Sequence, residues 1–511
     1  MIKSRFFTAI ILLSGNFCFG QELNFEISTG PHIDGKVNIL KSLKFEPIGY
    51  FNEKYYYWSY TEIGQSQIVC CNKDLTPNKI IQVTTPANLS HAHLESLQSF
   101  TSDHYILHFG RTADMGKNAF AIYSQKITFD PFYLEEPIKA AEFQGNIGDV
   151  ESIVTHISEN KEYLGIGIEM KGNGKNCIYH YTILDREMKN LGTGTNQTKE
   201  FKQKHILGSV FMSNQGDLFL SFDNRDSRAT GFQEPINFGS ILKFTGDKKT
   251  GEYNYEFENK LILNYELNED AEGYITLETI WCSKAKSSQT GMLSYAFENN
   301  TINYSIPFDP KFNRPFRRIK STTMVDSEKD KGLSVHFSLQ KRLETTYTNY
   351  KLLVFEKVAR SQSDEETTSV YYGSFLIYLI DDNNTIQKQI EVKKLTETTG
   401  QTTYKKSNVI FQKDDNLYFI YKKTTPSPGK EDKSIIYPNR NFENGVSYFM
   451  TRVNLITSEK TTIDFITHKQ KAFILNDILL LNSYFQDTDN SFVIAANSVG
   501  KIYLVRFTLD N

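Results

Sequence analysis

The chain has 511 residues, with 57 Lys or Arg against 60 Asp or Glu and a net charge of −3 at pH 7. That near-balance argues against a nucleic-acid binder, which carries a basic patch or a high isoelectric point. Charged residues make up 23% and hydrophobic residues 39%, which suits a globular chain and not a disordered acidic one.

Residues 1–20 have the plan of a secretory signal. Lys3 and Arg5 open it, residues 6–13 are apolar apart from Thr8, and small residues follow at Ser14, Gly15 and Gly20. The expected cleavage follows Gly20, leaving 21–511 as the folded chain. The apolar run is too short to cross a bilayer, and no later segment reaches the ~20 apolar residues of a transmembrane helix. Cys18 is preceded by Gly15, Asn16 and Phe17, not by the aliphatic and small residues that mark an acylated cysteine. The expectation is an exported protein, periplasmic or extracellular, free or held at a surface.

Residues 21–43 form a lead-in with turns at Gly30-Pro31 and Asp34-Gly35. A pattern then recurs at intervals of about 55 residues. A polar turn precedes an alternating, aromatic-rich run, first as Asn52-Glu-Lys-Tyr-Tyr-Tyr-Trp-Ser-Tyr60. It returns at 102–110, 160–168, 215–222, 415–421 and 489–495, and more weakly at 273–281 and 331–339. The last two intervals, to Asp415 and Asp489, are longer and imply insertions or a missed unit. Further strand-like runs, such as 118–124 and 240–244, fill each interval. No segment beyond the leader sustains helical apolar spacing.

The pattern predicts an all-β fold, a β-propeller of roughly seven or eight four-stranded blades in one domain over 21–511. Tandem β-sandwiches are the alternative, because strand patterns alone do not fix closure. A propeller often borrows a strand from one terminus to close its ring. Either the lead-in or the final strand, 501–507, suits that place. Polar stretches at 361–368 and 424–433 read as loops projecting from one rim. They are either binding loops or insertions without function.

Five cysteines occur, four of them beyond the leader: Cys70, Cys71, Cys177 and Cys282. Cys70 and Cys71 are adjacent in a predicted strand and point to opposite faces. Mostly buried free thiols are expected, with room for one disulfide. The 37 Phe and 29 Tyr suit sheet packing, with an aromatic ligand surface as the other reading.

Residues 350–356, 371–381, Lys393-Lys394 and 415–421 together carry a resemblance. The chain resembles a group of exported, uncharacterised β-propeller-like proteins of Bacteroidetes-type bacteria. The resemblance implies a propeller and brings no catalytic residues to carry over.

Four of the ten histidines cluster: His91, His93, His104 and His108. His104 and His108 share a strand face, and His91 and His93 share one if extended. Two such pairs are candidate ligands for zinc, copper or nickel, the other reading being histidines bonded to backbone. Acidic runs at 223–226, 381–384 and 487–491 lack the calcium-loop pattern and read as turns. Glu95, Glu151 and Glu278 are strand-context carboxylates of the kind glycosidases pair. No nucleophile elbow, zinc-protease or phosphate-loop motif occurs, and no cofactor is signalled. The leading expectation is a non-catalytic envelope protein that binds a protein or glycan. A carbohydrate-processing enzyme with carboxylates in the central channel is the alternative. No feature speaks to oligomeric state.

Overall fold

The computed structural model describes residues 25–33, 45–60, 65–112, 118–172, 177–198, 205–225, 235–270, 272–284, 289–309, 317–320, 323–324, 335–344, 350–362, 368–381, 383, 385–394, 396–399, 408–424, 435–436, 446–464, 478–488, 490–498 and 501–509. The leader, including Cys18, lies outside them.

These residues form eight antiparallel blades, each a simple up-and-down run of four strands. The first blade is Glu46–Phe51, Lys54–Tyr60, Ser66–Asn72 and Pro77–Gln82. The second is Leu89–Ser99, His104–Thr112, Ala119–Phe129 and Ile138–Gln144. The third is Val150–Ile157, Tyr163–Met170, Ile178–Asp185 and Asn190–Gln197. The fourth is His205–Met212, Asp217–Arg225, Ile236–Thr245 and Lys248–Glu256. The fifth is Lys260–Glu269, Ile275–Ser283, Thr290–Ala296 and Thr301–Pro307, joined to the fourth by the single pair Ile236–Ile262. The sixth is Val335–Glu344, Lys351–Gln362, Thr368–Ile380 and Ile386–Val392. The seventh is Asn408–Lys413, Asn416–Thr424, Val446–Asn454 and Lys460–Asp464.

The eighth blade takes Ile478–Thr488, Ser491–Ser498 and Lys501–Leu509 from the end of the chain. Its outer strand is Phe25–Thr29, paired antiparallel with Lys501–Leu509 from Phe25–Leu509 to Thr29–Val505. Both termini thus close the ring together, and the fold is a β-propeller. Tandem sandwiches are excluded, because each blade packs its two faces on two different neighbours.

The core is divided among the eight junctions. Tyr56, Trp58 and Cys70 pack toward the second blade, with Ile106, Ile127 and Phe132. Tyr55, Tyr57 and Cys71 pack toward the eighth, with Leu480, Val493 and Leu504. Second strands are therefore buried on both faces, which is why they read as continuous aromatic and apolar runs. His104–Thr112, for example, is buried from His104 to Gly110. Outer strands face solvent, and Thr301–Pro307 is mostly exposed.

First strands of neighbouring blades lie against one another around the axis, as Val150–Ile157 does against His205–Met212. Seven of them slip register against their second strand, between Pro47 and Gly49, Ser90 and Leu94, Val150 and Ser152, Leu207 and Ser209, Ile262 and Asn264, Leu339 and Lys341, and Leu480 and Phe485. Such bulges bend a strand and re-aim its side chains, here where the ring is narrowest.

The recurring pattern marks the hairpin into each second strand, with one exception. The copy at 331–339 leads into Val335–Glu344, the first strand of the sixth blade. The second strand follows at Lys351–Gln362. The first polar stretch falls between the second and third strands of the sixth blade, and the second between the second and third strands of the seventh. These are equivalent connections in the two blades. Their tips, 363–367 and 425–434, lie outside the described residues. Beyond the second tip, Ile435–Ile436 pairs in parallel with Arg317–Lys320, which lies between the fifth and sixth blades.

Candidate functional site: a carboxylate cleft between two blades

All four described cysteines are free and buried, and burial pushes their thiols up, Cys71 to about 12 and Cys282 to about 11. The histidines separate by environment. The His104 ring sits edge-on to Phe51 and Phe129, centroids 5.1 and 5.2 Å away, and burial drives its pKa down to about 4. His108 Nε2 lies 3.1 Å from Gln125 Oε1, and its Nδ1 is 3.9 Å from Glu95 Oε1. Both are core residues of the second blade. His91 and His93 sit on Leu89–Ser99, but their side chains lie outside the described residues. Among the described residues no group of three or more His, Cys, Asp or Glu could hold a metal.

Three polar clasps tie blades together. Asp223, read from sequence as a turn residue, is instead buried in the second strand of the fourth blade. It accepts from Tyr265 (2.7 Å) and Tyr255 (3.3 Å), and from Arg225 (3.1 Å). Burial raises its pKa, and a Cβ on Gly208 would come within 2.2 Å of its Oδ2. Glu356 accepts from the buried Lys394 ammonium and, at 3.0 Å, from Asn408 of the seventh blade. Asp487 accepts from Tyr55 (2.5 Å), from Arg506 Nε (3.2 Å) and from Ser491, joining the eighth blade to the first. It too leaves the set of plain turn residues. Asp381 remains in that set, accepting from the Thr385 N–H at 2.8 Å.

The fourth arrangement differs. Glu266, on the first strand of the fifth blade, stands directly opposite Glu278 on the second. Opposed antiparallel residues put their Cα atoms about 4.5–5.5 Å apart on one face. That face turns to the sixth blade, which supplies Lys351 Nζ at 3.3 Å and Arg342 Nη1 at 3.5 Å to Glu278 Oε1. Glu278 Oε2 is buried and accepts nothing, unlike every other buried carboxylate oxygen among the described residues. Glu266 shows part of its side chain to solvent. Desolvation by its neighbours and then the charge of Glu278 raise its pKa. Tyr304 is raised by burial first and by Glu278 second.

A small cleft, partly open to solvent, borders both carboxylates, with Asn264, Leu339, Leu353 and Phe355 among its walls. The cleft, about 20 Å³, has room for one water-sized group. Of the carboxylates singled out from sequence, Glu278 is here, while Glu95 and Glu151 lie on the first strands of the second and third blades. Glu266 escaped the sequence reading. The signal was present: the two glutamates flank the hairpin turn at Gly273, in unbroken register from the Glu269–Ile275 pair.

No family model matches the chain, and no curated protein does. Among solved structures, the chain is similar to the WD40 domain of SCAP from fission yeast, at 10% identity and a TM-score of 0.36, over 95% of this chain and 98% of that one. It is similar to the β-propeller domain of the trilobed protease from Pyrococcus furiosus, at 11% identity and a TM-score of 0.34, over 84% and 99%. It is also similar to an ulvan lyase, a polysaccharide lyase, at 8% identity and a TM-score of 0.36, over 84% and 95%.

Proposed function

We propose that the protein is an exported, non-catalytic β-propeller that binds a protein or glycan at the bacterial cell envelope. The signal-like leader and the resemblance to Bacteroidetes-type exported propellers support the location. The observation that carries binding is Glu278. Its buried Oε2 borders an open cleft without a hydrogen-bond donor, whereas Asp223, Glu356 and Asp487 are fully engaged. A buried acceptor without a donor costs about 1–3 kcal/mol, and a ligand donor recovers it. The test is an affinity capture from gently solubilised envelopes, with wild-type and Glu278→Gln proteins side by side. A stoichiometric component held by the wild type and lost by the variant is expected. Equal capture by both would remove the cleft from the function.

A second reading rests on the Glu266–Glu278 pair itself. Two carboxyl groups on one strand face, one as acid and one as base or nucleophile, are what a glycosidase pairs. A raised pKa keeps Glu266 protonated to higher pH, the state a proton donor needs. Release of reducing ends from envelope polysaccharide, abolished by Glu266→Gln, would replace the binding reading with this one.

A further inference from the structure

Resting on the binding reading, we propose that the rim bearing the turns into the second and outer strands is a docking surface for a protein with a basic face.

That rim follows from the topology. In an up-and-down blade the connections from first to second strand and from third to outer strand share one end. Neighbouring blades bring these ends together. Asn160 N–H donates to Asn214 Oδ1 at 2.7 Å, and Asn214 N–H donates to Glu269 Oε2 at 2.7 Å, linking the third, fourth and fifth blades. Lys388 Nζ of the sixth blade donates to the Leu455 carbonyl of the seventh at 3.1 Å. The surface is fixed before a partner arrives, which lowers the cost of binding.

The charges segregate to this rim. Its fifteen connections hold 19 Asp or Glu against 4 Lys or Arg, a balance of −15 in a chain whose whole charge is −3. Turn chemistry explains the aspartates: Asp74 accepts the Thr76 N–H at 3.0 Å, and Asp270 accepts the Tyr274 N–H at 2.8 Å. It does not explain the nine glutamates. Glu136, Glu159, Glu187, Glu272 and Glu459 are exposed, and their carboxylates carry no hydrogen bond or ion pair among the described residues.

Apolar side chains gather at the same end. Of the seven exposed large hydrophobics among the described residues, Tyr133, Ile138, Leu191, Tyr274, Ile302 and Ile456 lie in these connections or within two residues of them. Leu94 alone lies elsewhere, on an inner strand. Apolar anchors among charged residues are the makings of a protein interface. An acidic polysaccharide or an anionic lipid surface would be repelled here, and a neutral glycan gains nothing from the charge. Lysines and arginines on a partner gain from every carboxylate, first in the rate of encounter.

The experiment treats the full exported chain with a carbodiimide, which joins carboxylates directly to amines, during capture from gently solubilised envelopes. Mass spectrometry reads which residues are joined. A protein whose lysines are joined to some of those five glutamates is expected. With that protein purified, its association rate should fall about tenfold in the combined Glu136→Gln, Glu159→Gln, Glu187→Gln, Glu272→Gln and Glu459→Gln variant, and should fall steeply with added salt. The double variant Ile138→Ser, Leu191→Ser should instead speed dissociation. Thermal unfolding of each variant accompanies the rates, and the cross-links, read on the wild type, decide if a variant does not fold. Cross-links on other faces only, or rates unmoved by the five substitutions, would overturn the proposal and leave the binding reading standing on the captured protein. Capture of a glycan without a protein would do the same. Capture of nothing would end both.

Discussion

His104 stays neutral because nothing around it holds a second proton. Its ring lies between two phenylalanines, and burial takes its pKa to about 4. His156 is also near 4 for the same reason, its Nδ1 accepting the Met212 N–H at 3.0 Å. His108 and His180 are lowered too. In the unfolded chain a histidine titrates near pH 6.5. Between about 6.5 and 4 the unfolded state therefore binds more protons, so stability is full above that window and falls as pH drops through it. His104 alone accounts for about 2 kcal/mol of loss at pH 5. Urea unfolding at pH 7.5 and pH 5 should show a marked drop in midpoint. The drop should narrow in His104→Gln, which cannot titrate. A wild-type midpoint unchanged between these pH values would contradict the buried, neutral assignment.

At the scale of elements, the segments singled out for their resemblance prove to hold a buried ion pair. Glu356 lies on the second strand of the sixth blade. Lys394 lies just beyond that blade's outer strand, its ammonium 4.3 Å from the centre of the Phe375 ring. With Asn408 they fasten the link between the sixth and seventh blades. Lys394→Met leaves a buried carboxylate without its ammonium, and should cost about 3–5 kcal/mol. Adding Glu356→Gln removes that charge while keeping an acceptor for Asn408. The double variant should be more stable than Lys394→Met, giving a coupling above about 1 kcal/mol in a double-mutant cycle by chemical unfolding. Additive losses would show the pair to be incidental.

The same elements show what the sequence could carry. Second strands were legible because burial on both faces writes an unbroken aromatic run after a polar turn. The run at 331–339 misled because a first strand alternates in the same way, with Val335, Phe337 and Leu339, and nothing local tells the two apart. Asp223 was misread because Asp, Asn and Arg in a row look like a turn, whereas Tyr265, a partner from the next blade, holds it inside a strand. The inner-strand bulges and the meeting of Glu266 with Glu278 depend on pairing register. Register is set by which strands meet and not by composition.

For the molecule as a whole, the decisive contact joins residues almost a full chain length apart. Beyond Phe25–Thr29 the lead-in keeps following Lys501–Leu509. Gly30 N–H donates to Leu504 C=O at 2.9 Å and Ile33 N–H to Ile502 C=O at 2.7 Å. Ile33 is buried with Phe45, Tyr55 and Leu480, so the lead-in belongs to the junction of first and eighth blades as well as to the edge. Arg506 adds a polar tie there, donating to Tyr55 at 2.7 Å and to the Lys73 carbonyl at 2.5 Å. A chain starting at residue 34 would lose the outer strand, expose the backbone edge of Lys501–Leu509 and uncover part of this core. Losing Ile33 burial alone costs about 2 kcal/mol, before the strand hydrogen bonds are counted. An open edge also invites pairing with another copy. The shortened chain should unfold at lower denaturant than one starting at residue 21 and should self-associate in light scattering. A synthetic peptide of residues 21–33 should reverse both effects by refilling the edge. A shortened chain as stable and monomeric as the longer one would mean that the interblade clasps hold the ring without the borrowed strand.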